Sequence, residues 1–384
     1  MRVGKRFIGI TCACMMAVAA AGCSGGSSSE SQTAMTIETP ASEAAASTAT
    51  TTEETDKKGE IPEGMYLSEI TGEPISKDIE DIRPIAVMVD NERTALDHAG
   101  TAKADVVYEM VNSTANDRIT RFMCIFKDWK NVEMIGSIRS TRPTNCMLFQ
   151  EWNAILCHDG GPFYIDNFLA NDYSPHFSGT FTRVQNGKPT EFTEYVVNDG
   201  TVSDMETNLK NSNVSETYDK YRLDDLTHFN FCEWGETVNL KDEKGAFEAK
   251  KVDLAEVFRH TSSRLEYNDK TGTYDFSEYG DLHKDLDTGD VLTFKNVILQ
   301  EANMTELDNN GYMVYNILTT NMWEGYYITD GYAIKIYWNK GEVLDHTRYY
   351  VKNDAGDYEE LKINTGKTYI GLIPDDSWDE VLFK

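Results

Sequence analysis

The side chains able to do chemistry crowd into residues 90–161. Asp90 and Asn91 close one apolar run, Asp105 opens a second with Glu109 inside it, and Arg118 and Arg121 flank a third. A fourth run leads into Arg139-Ser-Thr-Arg142-Pro143, and a fifth into His158-Asp-Gly160-Gly161. Arginines three apart at a strand end offer planar, bidentate donors that match a phosphate or a carboxylate. A Gly-Gly turn lets backbone N–H groups come close to a ligand. Arg121, Arg139, Arg142, Gly160 and Gly161 therefore form a candidate anion-binding set, with Asp90, Asn91, Asp105, Glu109 and His158 as a candidate polar pocket. In so acidic a chain the same arginines can instead neutralise neighbouring carboxylates. No catalytic residue is assigned and no cofactor is expected. If a divalent cation is held, Asp90 and Asp105 are the candidate ligands.

Spacing argues against three other chemistries. Cys157-His158 is not a nucleophile–base pair, because neighbours on a strand point to opposite faces. The stretch from Asp285 to Asp290 imitates a calcium loop, but Gly289 falls at its fifth rather than its sixth position and no Glu closes it. Tyr326, Tyr327, Tyr332, Tyr337, Trp338, Tyr349 and Tyr350 could stack on sugars, but their alternation points to sheet core and cross-strand pairing.

These residues need a scaffold, and the hydrophobic pattern supplies one. Runs 84–90, 105–111, 119–126, 134–138 and 154–158 read as strands, while 144–152, 162–169 and 203–209 read as helices. The predicted class is an α/β or α+β N-terminal domain. Near residue 235 the texture changes. Turn signals at 268–272, 287–289, 309–311 and 353–356 then separate β-rich runs at 291–299, 312–319, 332–338 and 348–352, which predicts a mostly antiparallel β-rich C-terminal domain. Residues 61–384 exceed what one core usually serves, so domains are placed at 61–235 and 236–384.

The N-terminus gives an address. Residues 1–22 join a basic start to 15 uncharged residues, 7–21, too short to span a bilayer, and read as an export signal. The signal ends in Ala20-Ala21-Gly22-Cys23, which resembles the bacterial lipoprotein cleavage box, and that resemblance implies a Cys23 that is lipidated and becomes the new N-terminus. Two acyl chains, palmitate among the common ones, give stable membrane residence. Residues 24–60 hold seven Ser, eight Thr and six Ala, too little apolar surface to repay ordering the backbone. With Cys23 they form a disordered tether, 23–60, of roughly 33 Å root-mean-square reach.

Charge narrows the partners. The 384 residues carry a net −28, which becomes −31 once Arg2, Lys5 and Arg6 leave with the signal. Such a surface is a poor match to nucleic acid and is repelled by anionic lipid, so the acyl chains carry the membrane affinity. Four cysteines, Cys124, Cys146, Cys157 and Cys232, remain in the mature body, without the spacing of a zinc or thioredoxin-type site. Cys124 and Cys157 lie inside apolar runs, so buried free thiols are expected; the pattern leaves their disulfide state open.

Several ordered motifs together resemble the YerB-like lipoproteins of Gram-positive bacteria. They are Arg83-Pro-Ile-Ala-Val-Met-Val-Asp-Asn91, Gly100-Thr-Ala-Lys-Ala-Asp-Val-Val-Tyr-Glu109, Ile119-Thr-Arg-Phe122, Ile135-Gly-Ser-Ile-Arg-Ser-Thr-Arg-Pro143 and His158-Asp-Gly-Gly161. Lys295-Asn-Val297, Gly331-Tyr-Ala-Ile-Lys-Ile-Tyr-Trp338 and Asn364-Thr-Gly-Lys-Thr-Tyr369 extend the match, with a departure at Asp159. The resemblance implies two domains of unknown function on the outer face of the cytoplasmic membrane. A fainter likeness, in the order of Asp105, the Ser-Ile-Arg139 segment and the later Gly-Gly, is to the LytR-CpsA-Psr envelope phosphotransferases; Ser140 stands where that family has Asp. The leading expectation is a membrane-anchored, non-catalytic binding or accessory protein whose partner is an envelope component or an envelope protein. The alternative is a binder or transferase of a polyprenyl-pyrophosphate glycan.

Overall fold

The computed structural model describes residues 59–384, without 172–173, 180, 201–203, 213, 217 and 219–224. The export signal, Cys23 and nearly all of the tether lie outside the described residues. Among the described residues, no helix is long and apolar enough to cross a membrane.

The strands Ile85–Asp90, Val106–Val111 and Thr120–Phe126 are buried at every position. A strand covered on both faces needs apolar residues without alternation, which is why these segments read as unbroken hydrophobic runs. Each fully buried Val or Ile in them contributes roughly 1.5–3 kcal/mol through removal from water. Val106–Val111 and Ile85–Asp90 both pair antiparallel with Thr120–Phe126, and so run in the same direction on either side of it. Ile155–His158 and His176–Ser178 add two parallel strands beyond Ile85–Asp90.

The same sheet continues into the C-terminal half. Thr368–Pro374 pairs in parallel with Val106–Val111, Thr368 opposite Val106 and Gly371 opposite Glu109. Asn296–Ala302, Thr319–Thr329, Tyr332–Lys340, Arg348–Lys352 and Tyr358–Glu360 follow in order to the far edge. Strands from before and after residue 235 therefore share one sheet. A second, antiparallel sheet orders Asp281–Leu282, Thr273–Glu278, Arg264–Asn268, Lys251–Asp253 and Leu382–Phe383. In Thr273–Glu278 burial alternates residue by residue, as one covered face requires. Tyr279 and Gly280, with φ of 53° and 90°, make the two-residue turn that folds Glu278 back onto Asp281.

The observed class is the expected one: a mixed N-terminal half with few, short helices and a β-rich, largely antiparallel C-terminal half. The helix expected over 144–152 is shorter, Pro143–Leu148 followed by a 3-10 segment, Phe149–Trp152. Asn153, in the left-handed conformation at φ 54°, stops it. Of the aromatic set, Tyr327, Trp338 and Tyr349 are core, Tyr326 and Tyr332 pack half-buried against it, and Tyr337 and Tyr350 are half-buried cross-strand partners. Tyr327 is buried and donates to Asn296 Oδ1 at 2.8 Å, while Trp338 lies opposite Tyr349 and Tyr337 opposite Tyr350. The calcium-like stretch is a turn: the Asp285 carboxylate accepts the amides of Asp287 and Ala102. Cys124, Cys146, Cys157 and Cys232 are free and buried. Burial pushes the Cys146 thiol up to about 12 and those of Cys124 and Cys157 further up.

Candidate functional site

Asp90 is the last residue of its strand, and its side chain is fully buried. The neighbouring strand Ile155–His158 stops pairing at Val87. Beyond that point the loop carrying the arginines takes its place: Asp90 N donates to Ser137 O at 3.0 Å and Arg139 N to Met88 O at 2.9 Å. This is why a strand-to-loop sequence with two arginines ends beside an acid. The loop is zipped to the His158–Gly161 segment. Asp159 N donates to Arg139 O (3.0 Å), Thr141 N to Gly160 O (3.1 Å), and Ser140 Oγ to Asp159 O (2.8 Å).

Three guanidinium groups meet there. Arg139 donates from Nε to Asp90 Oδ2 at 2.7 Å and from Nη2 to Glu191 Oε2 at 3.1 Å. Arg121 donates to Ser140 O at 3.0 Å, and its Nη2 lies 3.5 Å from the same Asp90 oxygen. Arg142 is buried, donates to the Thr141 carbonyl at 2.8 Å and lies 4.5 Å over the Tyr312 ring. It forms no ion pair with a described residue, and neither its Nε nor that of Arg121 has a hydrogen-bond partner among the described residues. Burial, then repulsion from Arg121, pushes the Arg142 guanidinium down to about 10. It stays charged at neutral pH. Asp90 and Glu191 are thus spent on Arg121 and Arg139, and Arg142 is the guanidinium left without an ion pair among the described residues.

The other members of the candidate sets occupy different places. The Gly160 amide is taken by Ser178 Oγ at 3.2 Å, and Gly161 leaves room for the Thr141 carbonyl and Ile165 against it. His158 bonds Gly160 O through Nδ1 (2.8 Å) and faces His176 through Nε2 (3.3 Å); burial pushes it down to about 4. Glu109 and Asn91 belong to a buried network further along. Glu109 accepts from Tyr369 Oη (2.7 Å), Ser263 Oγ (2.8 Å) and Thr120 Oγ1 (3.0 Å), and Asn91 Nδ2 donates to Thr120 Oγ1 at 2.8 Å. Burial pushes Glu109 up to about 7 against these donors.

Asp90 and Asp105 do not come together. Asp90 lies opposite Arg121, whereas Asp105 precedes Val106, which lies opposite Ile125. Two strands of one direction place the residue that ends one and the residue that begins the other five rungs apart, roughly 17 Å. Asp105 instead accepts the Lys127 amide at 2.7 Å, and burial pushes it up to about 6. One ion cannot bridge the two acids.

One constellation escaped the sequence reading: His98, Glu278 and His283, all buried, whose donor atoms lie within 4.8 Å of one another. Burial, reinforced by His283, holds the His98 imidazole neutral against the pull of the Asp90 backbone. With His98 and Glu278 180 positions apart, no local spacing could have revealed it.

Fold and site together define a mixed, largely antiparallel β protein of two interlocked halves with an arginine-rich pole. Family models described as "Protein of unknown function (DUF3048)" match both halves, the N-terminal domain over residues 70–219 and the C-terminal domain over 253–370. The chain belongs to this two-domain, YerB-like family. It is 25% identical over 314 residues, 80% of its own length and 86% of the relative's, to "Putative lipoprotein YerB" of Bacillus subtilis (strain 168). The crystal structure of the YerB protein from Bacillus subtilis superposes with a TM-score of 0.65 at 21% identity, covering 83% of this chain and 99% of that one, and shows a shared fold.

Proposed function

We propose that this chain is a lipid-anchored, non-catalytic binding protein on the outer face of the cytoplasmic membrane, holding an anionic envelope component at its arginine pole. The anchor is Cys23, and the description of the Bacillus relative as a lipoprotein supports it. The observation that carries the binding reading is Arg142, a buried guanidinium beside two others with no carboxylate ion-paired to it among the described residues. A phosphate or carboxylate there gains charge-assisted, forked hydrogen bonds that water cannot match in a partly desolvated site. Binding is favoured over transfer because the nearest acid, Asp90, is committed to Arg121 and Arg139 and is not free to act on a substrate.

The test is binding of polyprenyl pyrophosphate to the full chain in detergent, for wild type, Arg142→Met and Arg139→Ala. Wild-type affinity that falls with added salt and drops at least about ten-fold in Arg142→Met is expected. Equal, negligible binding by all three ends the anion reading. Anchoring is checked in the same strains: Cys23→Ser should lose fatty-acid label and appear in the medium, and equal labelling of both proteins removes the anchor.

A further inference from the structure

His98, Glu278 and His283 are brought together from distant parts of the chain. His98 lies between two short 3-10 turns, Arg93–Ala95 and Thr101–Lys103, and its carbonyl accepts Leu286 N at 2.8 Å. Glu278 ends the strand Thr273–Glu278, and the tight turn at Tyr279-Gly280 returns His283 beside Phe276, whose carbonyl accepts the His283 amide at 3.0 Å. Alternation along that hairpin puts Glu278 and His283 on the same face. All three residues are at most 3% exposed.

Their hydrogen bonding is incomplete in a way that a satisfied core is not. Neither ring nitrogen of His98 makes a well-formed hydrogen bond among the described residues, the Asp90 backbone being near enough only to pull on the ring, and Glu278 Oε2 has no partner there. Leaving buried polar atoms unpaired is costly, most of all for a charged oxygen. His283 is better placed: Nδ1 lies 2.7 Å from Glu278 Oε1 and Nε2 lies 2.9 Å from Thr101 Oγ1. A cation between the three side chains would take up the unpaired lone pairs and balance the carboxylate.

We propose that His98, Glu278 and His283 form a binding site for one divalent transition-metal ion, of the zinc type, which ties the segment around His98 to the second sheet. Two imidazoles and one carboxylate are a donor set that suits zinc and its neighbours rather than calcium or magnesium. Bonds of about 2.0–2.2 Å in a tetrahedral arrangement place donors roughly 3.4 Å apart. The donor atoms already lie within 4.8 Å of one another, so small side-chain rotations would bring them to that spacing. Thr101 fits the outer position of such a site. Without an ion, His283 donates from Nδ1 to Glu278 and accepts the Thr101 hydroxyl at Nε2. With one, Nδ1 gives its proton to solvent and binds the ion, while a proton on Nε2 is donated to Thr101 Oγ1, an orienting bond common beside metal-bound histidines. The Nε2 proton comes from solvent, so this ring changes tautomer with no net proton release. Glu278 and His283 also line a cavity of about 100 Å³ with Arg93, Asp97 and Tyr279, room for a water as fourth ligand and a path for entry.

This goes beyond the arginine-pole reading and is tested apart from it. The full chain in detergent is stripped with a chelator, reloaded with Zn²⁺ or Co²⁺ and passed over a weak chelating resin, and retained metal is counted by mass spectrometry. Wild type and Asp354→Asn, a control at an exposed acid, should keep about one ion per chain. His98→Leu and Glu278→Gln, shown to be folded by circular dichroism, should keep less than about a tenth. The Co²⁺ form of the wild type should show the strong visible absorption of a four-coordinate ion. Loss of all metal from the wild type, equal retention by a folded His98→Leu, or a pale six-coordinate Co²⁺ spectrum each overturns the site. The wild-type count and spectrum decide the matter even if both variants fail to fold.

Discussion

Replacing Lys340 by Met should unseat a carboxylate on which both halves of the chain depend. Glu151, in the 3-10 segment Phe149–Trp152, and Lys340, at the end of Tyr332–Lys340, are both fully buried, with Nζ and Oε2 3.1 Å apart. Glu151 also accepts the Thr347 amide at 2.7 Å, the Thr347 hydroxyl at 2.8 Å and the Tyr108 hydroxyl at 3.1 Å. Burial alone would raise its pKa; Lys340, His228 and the Thr347 amide overcome that and hold it below the usual carboxylate range. Removing one partner of a buried pair leaves an uncompensated charge and costs about 3–5 kcal/mol. Unfolding entropy of about 2.1 cal/mol/K per residue gives ~0.7 kcal/mol/K for some 330 residues, so Tm should fall by roughly 4–7 °C at pH 7. A depressed folded pKa contributes stability that is present above the unfolded value and lost as pH falls below it. In Lys340→Met burial dominates, the carboxyl shifts up, and its cost disappears on protonation. The gap between wild type and variant should therefore narrow as pH falls from 7 to about 4. Differential scanning calorimetry on Lys340→Met, Glu151→Gln and the double variant checks this, the double variant recovering most of the loss. A Tm change under about 2 °C at pH 7, or a gap constant with pH, would refute the reasoning.

Two further outcomes follow from single residues. Glu109, pushed up to about 7, keeps in the folded state a proton that the unfolded chain has released, so stability falls as pH rises from about 4.5 through 7. Glu109→Gln should remove about 1–3 kcal/mol of that dependence and exceed wild type in Tm at pH 8, measured by thermal unfolding at pH 5 and 8; a parallel pair of profiles would sink this. Gly161→Ala would set a Cβ 2.4 Å from Ile165 Cδ1 and 3.0 Å from Thr141 O, and should cost about 1–3 kcal/mol. Gly160→Ala has φ +70° but would meet only Ser140 Oγ at 3.9 Å, an ordinary contact, and should cost about 1 kcal/mol, so chemical denaturation should rank the two in that order.

What the sequence made legible was whatever is written locally. Asp90, Arg121 and Arg139 flank apolar runs so strong that their strands, and hence the strand ends, could be placed, and the acid and both arginines do meet. Asp105 looked equivalent to Asp90 because both border a run. One opens its strand and the other closes its own, and as the strands share a direction, that difference puts them at opposite ends of the sheet. Glu109 was visible as an acid inside a strand, but its partners Ser263 and Tyr369 are 154 and 260 residues away. His98 was invisible as a ligand for the same reason: non-local β pairing, not spacing, creates its surroundings.

The join between the halves explains why so much of the chemistry is non-local. Thr368–Pro374 is buried at all seven positions and takes Asn296–Ala302 on one side and Val106–Val111 on the other. Without the N-terminal half it would present an apolar edge with unpaired N–H and C=O groups, a surface that invites aggregation. Val106–Val111, equally buried, would face the same exposure without Thr368–Pro374. Glu109 with Tyr369, and Glu151 with Lys340, add buried polar contacts across that join, each of which needs both halves to be satisfied. The two family domains are thus halves of one hydrogen-bonded sheet. Their separation would cost the ladder and strip two carboxyl groups of part of their partners, Glu109 of Tyr369 and Ser263 and Glu151 of Lys340 and Thr347.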